Sequence, residues 1–96
     1  MKRGGCVYIM TNKNHTTLYV GVTSDLYPRV YEHKSKKDKY SFTARYNLDQ
    51  LVWYKFFSRI EEAISFEKFI KLKKRDYKIA LINEFNPDWK DLWGMS

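Results

Sequence analysis

Cys6 is the one cysteine in 96 residues, so no intrachain disulfide and no multi-thiolate zinc site can hold this chain together. Whatever fold it adopts must rest on burial. A hydrophobic fraction of 44%, with 18% aromatic residues, supplies enough large side chains for one compact core and argues against disorder throughout. The length fits a single domain spanning 1–96. A lone thiol also fits a reducing, cytoplasmic compartment, in which no disulfide-linked partner is expected. No apolar run approaches the roughly 20 residues needed to cross a bilayer, and Met1 to Cys6 lacks the apolar stretch of a secretion signal, so neither a membrane span nor a leader is expected.

Strand and helix periodicities alternate in a definite order. Val7 to Met10 and Leu18 to Val22 are short apolar runs separated by the polar segment Thr11 to Thr17, which predicts a β-hairpin with a long loop. Thr23-Ser24-Asp25 is an N-cap cluster with Pro28 in the first turn beyond it, predicting a helix from about Asp25 to Lys34. A basic loop follows. Leu51 to Phe57 is apolar on both alternating faces apart from Lys55, the pattern of a strand covered on both sides. Ser58 stands three residues before Glu61, the capping-box spacing, and opens a helix carried by Ile60, Ala63, Ile64 and Ile70 to near Lys74 or Arg75. A last helix is expected from Asp76 to Phe85, built on Tyr77, Ala80, Leu81 and Phe85. Asn86-Pro87-Asp88 breaks it, and Trp89, Leu92 and Trp93 form a tail that packs back on the body. The order β-β-α-β-α-α predicts an α+β fold, a three-stranded sheet flanked by helices.

Charge is concentrated rather than spread. The net formal charge is +7, yet residues 34–45 carry +4 and residues 68–78 carry +5, leaving the remainder slightly acidic at −2. Such stretches are either solvated faces or contacts with a polyanion, and Tyr40, Phe42 and Tyr46 interleaved with the first favour nucleic acid. Lys34, Lys36, Lys37, Lys39 and Arg45 in the first, and Lys71 and Lys74 in the second, are the candidate contacts. Glu67 lies on the apolar stripe of the second helix, where a carboxylate needs a cation, a metal or several donors; a salt bridge to a neighbouring Lys or Arg, or an edge position that still reaches water, satisfies that need as well as a metal would. Arg29 and His33, four residues apart, share one face of the first helix. A guanidinium there can grip a phosphate and an imidazole can move a proton, although the two residues by themselves favour an ordinary solvent-facing pair. Tyr8 and Tyr19 stand on the hairpin strands, where tyrosine more often packs than catalyses.

Together the residues form an ordered series: Val7-Tyr8, then Tyr19-Val20-Gly21, then Arg29 and His33, then Glu67. That series resembles the GIY-YIG nuclease superfamily. Within it, Tyr19 to Leu26 with Arg29, Glu32, His33 and Lys34, followed by Ile79 to Ile82 and Asn86-Pro87-Asp88-Trp89, resembles the small stand-alone URI-domain endonucleases. Cys6, Val7 and Val20 stand where the tripeptides have glycine and isoleucine, and the stretch near Ile79 lacks the asparagine of larger members, with Asn83 and Asn86 only close by. The resemblance implies a phosphodiesterase acting on nucleic acid, DNA before RNA, in a role such as DNA repair, with one Mg²⁺ or Mn²⁺ ion. It implies Glu67 as metal ligand and Arg29 as the group that neutralises charge on phosphorus. Tyr8 would deprotonate the attacking water, Tyr19 or His33 would orient or relay, and Gly21 would admit close backbone approach. The alternative is a nucleic-acid-binding module, in a repair or RNA-associated assembly, that cleaves slowly or not at all. A generic interaction domain ranks third, since it leaves Arg29, His33 and Glu67 without a common purpose.

Overall fold

A computed structural model describes residues 4–93 of the chain. Strand β1, Gly5–Thr11, is buried at every position because it lies in the middle of the sheet, between β2, Leu18–Thr23, and β3, Gln50–Phe57. Both pairings are antiparallel. The strand covered on both faces is therefore β1 and not β3: β3 is an edge strand, buried at Leu51 to Trp53 and exposed at Lys55 and Phe56. A bulge opposite Ile9 and Met10 leaves Val52 as the extra residue of β3.

Side-chain alternation along β1 sends Val7 and Ile9 to one face and Tyr8 and Met10 to the other, giving two cores. On the first face Val7, Ile9, Val20 and Trp53 pack with Ala63 and Ile70 of α3, Ile60–Lys71, and with Ile82 of α4, Arg75–Phe85. On the second, Tyr8, Met10, Leu48 and Leu51 pack with Val30 of α1, Leu26–Ser35. A short α2, Phe42–Arg45, stands where the sequence suggested only a basic loop; Ser41 Oγ caps it by accepting from Ala44 N at 3.2 Å. The α+β order and three-stranded sheet agree with the sequence pattern.

Several local expectations are displaced. Asp25 is the N-cap of α1 by position, but its carboxylate makes no cap bond; Thr23 Oγ1 accepts from Asp25 N at 3.1 Å instead and turns the chain. The Ser58–Glu61 capping box does not form, because the chain leaves β3 through a bend at Ser58 and the helix begins a residue later than that box needs, with Arg59 as N-cap; Ser58 Oγ reaches Glu62 Oε1 at 3.4 Å. The α3 stripe is Ala63, Glu67 and Ile70, and Ile64 sits on its flank, 38% exposed. Helix α3 stops at Lys71 rather than Lys74 or Arg75, since residues 72–74 form the corner into α4. In α4 the buried residue is Ile82; Ala80 and Phe85, expected inside, are exposed. The tail packs as anticipated, Trp89 against the first core and Leu92 and Trp93 against the second. Among the described residues no helix is long and apolar enough to cross a membrane.

Candidate active site

The sheet register sets the site. Tyr8 lies opposite Gly21 across the β1–β2 pair, and a Cβ at position 21 would fall 2.5 Å from the Tyr8 hydroxyl and 2.9 Å from the Tyr19 ring. Only glycine leaves room for both phenols on one face. Helix α1 crosses that face, and its i, i+4 spacing aims Arg29 and His33 toward the tyrosines. Tyr8 Oη and His33 Nε2 are 2.8 Å apart, His33 Nδ1 is 3.0 Å from Thr43 Oγ1, and Thr43 Oγ1 is 3.2 Å from Ser41 Oγ. The Tyr19 and His33 rings meet edge to face at 5.5 Å.

Burial orients the protons in this chain. Tyr8 has no exposed surface, and one arrangement that satisfies its hydroxyl has it donate to His33 Nε2. That makes Nδ1 the protonated ring nitrogen, which donates to Thr43 Oγ1. With Nδ1 donating, Thr43 is free to donate to Ser41 Oγ, whose other lone pair serves the α2 cap. Desolvation pushes the Tyr8 phenol well above its usual range; neighbouring Tyr19 adds to the shift and the Arg29 guanidinium opposes it. Burial, then Arg29, pulls His33 below 6.5, while Glu32 works the other way. Both groups are uncharged at neutral pH.

An open cleft of about 590 Å³ lies above this arrangement, lined by Tyr19, Arg29, His33, Lys37 and Phe42, with Glu32 and Asp38 also at its wall. Tyr8 forms no part of that lining; it stands behind Tyr19 and His33. Arg29 Nε is 3.5 Å from Glu32 Oε1, and both side chains are more than 40% exposed, so this surface pair leaves the guanidinium available to an anion.

The structure thus brings together Tyr8, Tyr19, Arg29 and His33, whereas Glu67 takes no part in their hydrogen bonds and is not among the residues lining the cleft. Helix α3 packs on the Val7 and Ile9 face, where a Cβ on Gly5 would strike Ile60 and Ala63. Glu67 is nearly buried there and pairs with Lys71 Nζ at 2.6 Å, the salt bridge its helical phase allowed for. Lys34 is also committed: its ammonium pairs with Asp91 and donates to Asp49 O at 2.8 Å, so it latches the tail rather than facing a ligand. Lys36 closes α1 in the left-handed region at φ 55°, and Lys37 reaches the cleft. Lys39 lies over the Tyr40 ring and Arg45 over Tyr46. Lys71 faces Glu67, and Lys74 is the N-cap residue of α4. Thr43 and Ser41 escaped the sequence reading, since isolated hydroxyls in a lysine-rich stretch carry no periodic signal.

Among the described residues no three His, Cys, Asp or Glu side chains cluster as a ready-made metal cage. Glu67 alone suits a hard ion of the magnesium type, which takes one or two protein carboxylates and completes its shell with water and phosphate. Such an ion would compete with the Lys71 ammonium for the carboxylate.

The GIY-YIG catalytic domain model matches residues 4–86. No curated protein matches the chain. The solution NMR structure of the UPF0213 protein BH0048 from Bacillus halodurans is similar to it, with a TM-score of 0.55 and 26% identity over 96% of each chain. The matched span takes in both hairpin tyrosines, the arginine and histidine of α1 and the glutamate of α3, and the chain belongs to the GIY-YIG family, with the nuclease-type fold of that family.

Proposed function

We propose that the chain is an endonuclease that hydrolyses phosphodiester bonds in DNA with the aid of one Mg²⁺ or Mn²⁺ ion, Glu67 being its protein ligand. The observation that carries this reading is the Tyr8–His33 hydrogen bond beneath a cleft into which Arg29 opens. Packing alone would not require a buried phenol to be matched to a neutral imidazole with a guanidinium beside both.

Arg29 binds the scissile phosphate in the cleft and offsets the negative charge that grows on its oxygens. Tyr19 presents its phenol to the same space and orients the incoming water. Tyr8 acts from behind. Its proton passes to His33 Nε2 while its oxygen takes the proton of a water admitted beside Tyr19, so no free phenolate is needed at rest. When bound, the ion would supply Lewis-acid stabilisation of the phosphate and of the departing 3′ oxygen.

The test is a nicking assay on single-stranded, duplex and branched DNA with Mg²⁺, Mn²⁺ or EDTA. Glu67→Gln keeps the volume but loses the charge; cleavage should collapse, by about a hundredfold or more, while DNA binding persists. Arg29→Ala should be equally damaging and Arg29→Lys a poor rescue, since lysine lacks the planar fork. Undiminished cleavage by Glu67→Gln overturns the mechanism. The Glu67–Lys71 ion pair favours a second reading, a binding module that does not cleave, and wild-type protein that binds DNA without cutting it under any of these conditions establishes that one.

A further inference from the structure

The corner between α3 and α4 is the most exposed apolar point of the described surface, and it is surrounded by cations. Leu72 is 88% exposed there. Beside it Phe69 and Tyr77, 44% and 37% exposed, meet edge to face with centroids 6.0 Å apart, and the Lys73 ammonium lies 4.7 Å from one ring and 5.5 Å from the other. Backbone hydrogen bonds from Leu72 N to Phe69 O, Lys73 N to Ile70 O and Tyr77 N to Lys74 O hold the turn in shape. Residues 68–78 carry +5, and Lys68, Lys73, Lys74 and Lys78 have no ion-pair partner among the described residues. The cleft reading uses none of this.

We infer that this corner is a second contact with duplex DNA, in which Leu72 enters the minor groove as a wedge between base pairs while the surrounding lysines hold the flanking phosphates. The inference rests on the nucleic-acid reading above and extends it to the form of the substrate: a duplex bent next to the cut.

Charge and shape favour DNA over a lipid surface. A membrane-docking helix presents a long apolar face, whereas here the apolar surface is one projecting leucine and two half-exposed rings, the rings already capped by the Lys73 ammonium and flanked by further lysines. That is the arrangement by which apolar wedges unstack a base step while phosphate contacts repay the cost. The corner is also tied to the hairpin that carries Tyr19 of the cleft. Arg75 Nη2 donates to His15 O at 3.1 Å, tying the start of α4 to the hairpin loop, and Tyr19 of the cleft follows His15 by four residues, a reach of at most about 14 Å. Corner and cleft therefore fall within one turn of duplex, about 34 Å.

The experiment uses a short DNA duplex with 2-aminopurine at its centre and a fluorophore pair at its ends, mixed with the protein in EDTA. Wild type should raise both the 2-aminopurine emission and the end-to-end energy transfer. Leu72→Ala, at a site too exposed to threaten folding, should bind within about tenfold of wild type yet lose most of both signals. Lys73→Ala with Lys74→Ala should weaken binding and lower the salt slope by about 2, one counterion for each lost phosphate contact. Full distortion by Leu72→Ala overturns the wedge. Binding to phosphatidylserine vesicles that depends on Leu72, with no distortion of DNA, overturns it in favour of a lipid surface. Failure of the wild type to bind duplex at low salt removes the wedge and the nucleic-acid reading together, whereas bending without cleavage leaves the wedge standing and counts against the nuclease alone.

Discussion

His33 holds two hydroxyl groups at once, Tyr8 through Nε2 and Thr43 through Nδ1, and donation from Nδ1 to Thr43 would fix the tautomer that accepts from Tyr8. Thr43 is 4% exposed, so replacing it by valine keeps the shape and strands an N–H in the interior, at a cost of about 1–3 kcal/mol. Thr43→Val should therefore lower the melting temperature and shift the His33 ring ¹⁵N resonances away from the Nδ1-protonated pattern, while Thr43→Ser restores both. Unchanged ring resonances in the valine variant would show that Thr43 does not set the tautomer. At this scale much of the site was legible. The i, i+4 spacing put Arg29 and His33 on one face, and the family resemblance implied a close approach at Gly21, which turns out to be that of the Tyr8 ring. What could not be read was which polar group sits behind another: Tyr8 lies beneath the cleft wall because of the register between two strands, and spacing within either strand says nothing of that depth.

Among the elements, the segment after α4 does more than its breaker composition suggested. Asn86 is 6% exposed and bridges three backbone groups: Nδ2 donates to Val52 O at 3.1 Å and to Lys90 O at 2.8 Å, and Oδ1 accepts from Lys90 N at 3.1 Å. Asp91 accepts from Leu51 N at 3.1 Å, and Leu92 N donates to Leu51 O at 2.7 Å. The tail thereby covers the outer edge of β3 where it would otherwise present unpaired groups. Asn86→Ala should cost about 2 kcal/mol and lower the melting temperature by about 10 °C, with amide exchange rising first at Leu51 and Leu92. Uniform exchange across the sheet would instead mean that the tail and sheet unfold as one unit. The Ser58–Glu61 signal failed for a related reason: a capping box describes a helix that starts freely, and α3 starts where β3 releases the chain. Likewise the apolar run of β3 reflected contacts with α3, α4 and the tail over its first half, not burial along its whole length.

For the whole molecule, stability should follow a plateau bounded by the buried titratable groups. His33 is held below its ordinary 6.5 in the folded chain, so the unfolded chain takes up that proton first, and the stability His33 contributes is intact above about 6.5 and lost as pH falls through its folded value. Cys6 has the opposite sign. Burial pushes its thiol from 9.0 up to about 12, so its contribution is intact below about 9 and lost as pH rises toward 12, with the raised Tyr8 phenol adding to the alkaline loss. Denaturant midpoints measured across pH should stay level between about 6.5 and 9; His33→Gln should flatten the acid limb and Cys6→Ala the alkaline one. Matching limbs in wild type and variants would assign the pH dependence to net charge instead.

The placing of β1 in the middle of the sheet also bears on how the chain is made. β1 ends at Thr11 and its second partner does not begin until Gln50, so a ribosome exposes the hairpin long before β3 can close over its open side. Val7 and Ile9, among the most deeply covered side chains of the finished molecule, are among the most vulnerable of the growing one, and through that interval the nascent hairpin is a target for chaperones and for pairing with neighbouring chains.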